Sequence, residues 1–272
     1  MSRQAKLPSL PRRRTLRERR LTFTALNLRL ASALFWFSAF RRPGAVLRHL
    51  DELGARTLPL TVVISALLGF TGMFLAHGKF QGLYQPALPT LLGRLFVEQV
   101  APLVTTFLIV GRSIVAMTAE LASMKLAREI DSLEIIGEHP VDFLLLPRVL
   151  ALVLALPALT LFAFFATMFG GWLAELRQPG AAELTRFAQE FFGIGSPRFF
   201  GVAVAVQPWM LGVALAKTAV SAWAVVVIGG YFGLGARGDQ EESVGQAVRR
   251  SVAWCLVGVT VINLLFAVAF RG

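Results

Sequence analysis

Three ionisable residues lie inside stretches of this sequence that are otherwise apolar: Arg112 and Glu120 within residues 100–121, and Lys217 within residues 209–234. A charge near the centre of a bilayer costs at least about 2.5–3.5 kcal/mol on insertion scales, so such residues face a bundle interior, a partner or a water-filled path. Arg112, Ala116 and Glu120 recur every four residues and share one helical face. That face suits either a ladder along its own helix or pairing with a neighbouring one. Lys217 has no carboxylate in its own stretch, and Glu98 is the candidate partner across helices. Left unpaired, the Lys217 ammonium suits an anionic headgroup.

Covalent and metal chemistry find no footing. There is no G-x-x-x-x-G-K-[ST] phosphate loop, and Gly78-Lys79-Phe80 does not supply one. His49, His77 and His139 are scattered, with no second ligand at metal spacing. No serine-centred nucleophile elbow occurs. The single cysteine, Cys255, excludes an internal disulfide framework and reads as a packing residue. The chain is therefore expected to have no catalytic residues, metal or cofactor of its own.

The elements that must position these charges are membrane spans. Of the 272 residues, 56% are apolar and only 16% charged, with a mean hydropathy of +0.65. Average soluble domains are about a quarter charged, so an ordinary soluble or disordered chain is excluded. Five stretches are long enough to cross a hydrocarbon core, at about 57–76, 100–121, 149–174, 209–234 and 251–270. Residues 31–40 are too short to cross and read as an aromatic-rich helix in the interface, anchored by Phe35, Trp36, Phe37 and Phe40. The chain thus divides into a basic tail with its interfacial helix, 1–56, and a membrane domain, 57–272. The expected class is an all-α integral membrane protein.

A net charge of +11 alongside this hydropathy admits a nucleic-acid binder, until the cations are placed. With alternating spans, 19 Lys/Arg fall on the side of residues 1–56, 122–148 and 235–250, and six on the other. That bias puts the N-terminus in the cytoplasm and the C-terminus across the membrane. The basic residues are topological, and no nucleic acid is expected. The run Arg12-Arg13-Arg14 to Arg19-Arg20 has no adjacent apolar core or cleavage site, so it reads as a lipid-facing tail rather than a secretory signal.

Between the spans, the loop 122–148 carries the most information. Leu126, Ile130 and Leu133 recur at helical spacing over 125–136, while Asp131, Glu134 and Glu138 occupy a different face. Gly137 can end that helix in a left-handed cap, and Pro140 can open the next. Acidic residues on the basic side of the membrane point to a protein partner, which makes this a docking helix. Residues 78–99 and 178–207 are too short for independent domains. Gly69-x-x-Gly72, Gly170-Gly171 and Gly229-x-x-x-Gly233 permit close helix approach.

The ordered series Glu98 to Pro102, Gly111-Arg112-Ser113, Ala119-Glu120-Leu121, Met124-Lys125, Glu129 to Glu134, Gly137, Pro140 and Pro147 to Ala151 resembles the MlaE/YrbE permease family. Tyr231 to Leu234 and Gly245-x-Ala247-Val248-x-x-Ser251 are similar to the family's stretch before the last span. The sequence departs from the family pattern at Val97, at Gln99-Val100 and at Ile114. The resemblance implies a homodimeric inner-membrane permease of an ATP-driven phospholipid transporter. It implies a cytoplasmic MlaF-like ATPase holding ATP and Mg, a small MlaB-like STAS protein and a periplasmic MlaD-like MCE protein. It matches Glu98 and Lys217 to polar positions near the lipid path, and with the intramembrane Arg112 these are the candidates along that path. It makes Glu129, Asp131, Leu133, Glu134, Gly137 and Pro140 the coupling to the ATPase. Two other classes fit the bare residues: an ion-coupled secondary transporter with Arg112, Glu120 and Lys217 as a relay, and a non-transporting scaffold.

Overall fold

The computed structural model describes residues 23–35, 43–79, 88–137, 139–177, 183–193, 208–236 and 241–270. Among the described residues the chain is helical, with α1 at Phe23–Phe35, α2 at Gly44–Lys79, α3 at Leu88–Leu126 and α4 at Glu129–Ile135. There follow α5 at Val141–Glu175, α6 at Leu184–Phe191, α7 at Pro208–Leu234 and α8 at Glu241–Ala269. Five of these, α2, α3, α5, α7 and α8, are long and apolar enough to cross a membrane, and each contains one of the apolar runs. Four of them, α2, α3, α5 and α8, start two or more turns before those runs. Thus α2 has 36 residues, about 54 Å at 1.5 Å per residue, against a core of about 30 Å.

Four π-helical turns interrupt the long helices, at Leu50–Gly54, Phe96–Val100, Val110–Ile114 and Val141–Leu145. Prolines account for two of them, at Phe96–Val100 and Val141–Leu145. Pro102 and Pro147 follow two residues behind, and a proline has no N–H to return to the carbonyl four residues earlier. Each wide turn rotates the face of the helix beyond it and leaves carbonyls open to outside donors.

The bundle is organised about α5, which packs on α2, α3 and α7. Its main core joins Val149, Leu152 and Leu156 to Ile109, Ile114 and Val226. Small residues set the closest approaches. A Cβ on Gly69 would collide with the Thr167 carbonyl, and one on Gly170 with the Ala66 carbonyl, so α2 and α5 touch backbone to backbone. Gly229 and Gly233 of α7 likewise sit against Met117 and Leu121 of α3. Hydroxyl pairs cross-link the interior, Thr105 with Thr160 and Thr118 with Ser251, each at 3.1 Å. Cys255 is buried, its thiol directed at the Val225 carbonyl. At the far ends of α2 and α5, His77 Nε2 lies 3.1 Å from Glu175 Oε2.

Two local expectations differ from what is seen. The helix expected over 31–40 begins earlier, as α1, and residues 36–42, which include Trp36, Phe37 and Phe40, lie outside the described ones. Leu26 and Leu30 are fully covered, and Trp223 Nε1 donates to Asn27 Oδ1 at 3.3 Å, tying α1 to α7. The single helix expected over 125–136 is broken: α3 runs to Leu126, and Arg128 turns the chain at φ 60° before α4 starts. A left-handed residue cannot continue a right-handed helix. Gly137, at φ 89°, closes the other end of α4, and Pro140 leads into α5.

Candidate functional site

The charges embedded in the spans gather into two clusters on α3, separated by a little over ten residues. The outer one is built on the π turn Phe96–Val100. Pro102 deprives the Glu98 carbonyl of its ordinary helical donor. Lys217, on α7 and only 3% exposed, supplies the replacement: its Nζ donates to Glu98 O at 2.6 Å and to Gln99 Oε1 at 3.2 Å. An ammonium has three N–H donors, so this arrangement leaves one for another acceptor. The Glu98 carboxylate does not meet Lys217 directly. It is taken by Arg94, one turn earlier on the same helix, at 2.9 Å. Both are about 30% exposed on their side chains, so the outer cluster combines a covered ammonium with a partly open ion pair.

The inner cluster surrounds the π turn Val110–Ile114. Arg112 donates to the Arg56 carbonyl and reaches Thr57 Oγ1 at 3.5 Å, while Ser113 Oγ donates to Leu53 O at 3.2 Å. These bonds tie α3 to the wide and tight turns of α2 at residues 50–57. The ladder from Arg112 to Glu120 does not form. The two residues are about 12 Å apart along an α-helix, and each has a nearer partner on another element. Glu120 receives Arg148 Nη2 at 2.7 Å, and Arg148 is 4% exposed. A cavity of about 180 Å³ opens here, its polar wall made by His49, Glu52, Arg56, Arg112, Glu120 and Arg148.

The third feature is the corner at α4. Ile130 is buried and Leu133 half-buried against the main core, which seats the helix, while Glu129 is exposed. Ile135 and Ile136 stand out at 87% and 76% exposure. Asp131 and Glu134 lie on α4, but their side chains fall outside the described residues. Gly137 provides the left-handed cap, and Pro140 is buried at the entry to α5.

The sequence reading singled out Glu98, Arg112 and Lys217; Glu98 and Lys217 come together, and Arg112 stands apart. It missed Arg94, Gln99, Arg56 and Arg148. The spacing Glu98 to Pro102 carries the signal for the outer contact, because a proline four residues on frees a carbonyl inside a span. Among the described residues no group of His, Cys, Asp and Glu is arranged to hold a metal ion.

A five-span helical bundle with polar side chains buried between spans, and a capped helix turned out at one end, defines a multi-pass membrane protein of the permease class. The family model described as "Permease MlaE" matches residues 46–269, and the chain belongs to that family. The chloroplastic protein TRIGALACTOSYLDIACYLGLYCEROL 1 of Arabidopsis thaliana is 27% identical over 227 residues, covering 82% of this chain and 61% of its own length. A probable ABC transporter permease of Synechocystis is 26% identical, covering 83% and 82%. The intermembrane phospholipid transport system permease protein MlaE of Haemophilus influenzae is 30% identical over 139 residues, half of each chain.

Proposed function

We propose that this chain is the membrane subunit of an ATP-driven phospholipid transporter, working as a homodimer in the inner membrane with its N-terminus cytoplasmic and its C-terminus periplasmic. Membership of the MlaE family supports the permease role. The Haemophilus relative's name supports phospholipid as the substrate. The observation that carries the reading is Lys217, an ammonium buried between spans beside the Glu98–Arg94 pair, with a donor to spare for a lipid phosphate.

In this mechanism the chain performs no covalent step and binds no cofactor. ATP and Mg belong to a separate MlaF-like subunit, accompanied by an MlaB-like STAS protein. Lipid passes to or from a periplasmic MlaD-like MCE protein. The α4 corner takes the ATPase's motion through Glu129, Asp131, Leu133 and Glu134, with Gly137 and Pro140 fixing its angle to α3 and α5. Because Ile130 is packed into the core, a push on α4 shifts the spans rather than only the loop. Acyl chains occupy the apolar space between two copies, and the phosphate meets Lys217.

The test is lipid transfer by the assembled complex in proteoliposomes. Glu134→Lys should leave the complex intact and its ATPase active, while transfer driven by ATP falls at least about tenfold, a coupling loss near 1.4 kcal/mol. Unchanged transfer in that variant refutes the coupling role of α4.

A further inference from the structure

The inner cavity is not used by the mechanism above, and its wall is unusual for a membrane protein. Arg148 is buried to 4% exposure, and although its Nη2 is held by Glu120, its Nη1 has no hydrogen-bond partner among the described residues. A covered guanidinium donor without an acceptor is costly. Arg112 and Arg56 line the same space; Arg56 is met by Asp51 at 3.5 Å and Arg148 by Glu120, which leaves Arg112 without a carboxylate partner among the described residues. Glu52 and Glu120 are themselves more than half exposed, which leaves them well solvated and weak as neutralising partners. The cavity lies where the uncharged run of α2 begins, at Thr57. From Arg56 toward the far end, Leu60, Val63 and Leu67 follow at helical spacing, exposed at 41%, 56% and 60%. A cationic recess at the foot of an uncovered apolar strip has the shape of one phospholipid, headgroup below and acyl chain above.

We infer that this cavity is a second lipid site, which seats the phosphate of a phospholipid from the leaflet at that end on Arg112 and Arg148, with its acyl chain along the Leu60–Leu67 face of α2. Its assignment to the cytoplasmic leaflet rests on the orientation proposed above; its existence does not. The site is distinct from that of Lys217, which reaches from α7 to the outer π turn of α3, and the two are separated by the length of α3 between Gln99 and Arg112. Glu120 acts as the competitor for Arg148, so an arriving phosphate and Glu120 share one guanidinium.

The experiment uses the full chain in proteoliposomes containing a phosphatidylethanolamine analogue with a photoactivatable diazirine on its headgroup. After irradiation, adducts are mapped by peptide mass spectrometry. Adducts are expected on residues 46–56 and 109–117, reduced about tenfold or more in Arg112→Gln and in Arg148→Gln. Glu120→Gln should move the other way and raise labelling, because it releases Arg148; a purely structural ion pair predicts no gain. If Arg148→Gln fails to fold, Arg112→Gln and Glu120→Gln carry the same opposed signs. No adducts at these residues, while those near residues 94–102 and 209–217 persist, overturns the second site and leaves the proposed function standing. Suppression of the adducts by inorganic phosphate assigns the cavity to a free anion and overturns the lipid. Adducts that form on the cavity only through a co-purifying protein assign it to a partner and overturn it as well.

Discussion

Replacing Lys217 by methionine tests the outer cluster most directly, because methionine keeps the apolar stem and removes only the ammonium. Two acceptors lose their donor, the Glu98 carbonyl at 2.6 Å and Gln99 Oε1 at 3.2 Å. Gln99 is half-buried and can turn toward other donors. The Glu98 carbonyl cannot, because Pro102 has no N–H to offer it. A hydrogen bond to a charged donor is worth about 1.5–3 kcal/mol in soluble proteins, whereas interhelical bonds in membranes reach at most about 1.7. We therefore expect Lys217→Met to cost about 1.5 kcal/mol, roughly a tenfold loss in the unfolding equilibrium. The assay is reversible unfolding in mixed micelles, run as a double-mutant cycle with Pro102→Ala. Alanine restores an N–H that can return to Glu98 O, so in that background the cost of Lys217→Met should fall by about 1 kcal/mol. An unchanged cost, within the roughly 0.3–0.5 kcal/mol expected of independent sites, refutes the claim that Lys217 serves the carbonyl freed by Pro102. The doubly substituted chain also separates stability from function: folded yet impaired in lipid transfer, it assigns the remaining N–H to substrate.

Further outcomes follow from the packing and the topology. Gly170→Val should destabilise the bundle by at least about 1–3 kcal/mol, the usual cost of overpacking, because its side chain meets the Ala66 carbonyl; Gly137→Ala, with nothing near its Cβ, should cost only the strain of a positive φ, and unfolding midpoints of the two compare them. In a Cys255→Ala background and right-side-out vesicles, Thr185→Cys should react with an impermeant maleimide and Ser132→Cys should not until the vesicles are broken; the reverse pattern overturns the orientation. His77→Phe removes the imidazole that lies 3.1 Å from the Glu175 carboxylate and should lower the unfolding free energy, read from the same titrations.

The five spans were legible because crossing a bilayer imposes a length and an apolarity that few other constraints imitate. The helix ends were not, since Leu47, Leu50 and Leu53 extend α2 on an amphipathic face whose mean hydropathy is diluted by Arg48, Asp51 and Glu52. Pairing was harder still. Glu98 and Lys217 were read as carboxylate and ammonium, but the ammonium found the Glu98 backbone because Arg94 lies closer to the carboxylate. Arg112, Ala116 and Glu120 do share a face, lining one cavity, but the partners of Arg112 and Glu120, the Arg56 carbonyl and Arg148, lie on other helices, which spacing along α3 does not reveal. The capping role of Gly137 came straight from its residue type, whereas a left-handed arginine at 128 has no signature in composition.

The backbone contact between α2 and α5 also limits how the protein can move. Where two helices meet through interlocked side chains, one can slide or roll as rotamers change. Gly69 and Gly170 leave no such lubricant, and each carbonyl presses on the neighbouring main chain. These two helices are therefore geared together as one stiff plate, further pinned at the end by His77 and Glu175. Strain delivered at the α4 corner therefore moves these two helices as a unit rather than sliding one along the other.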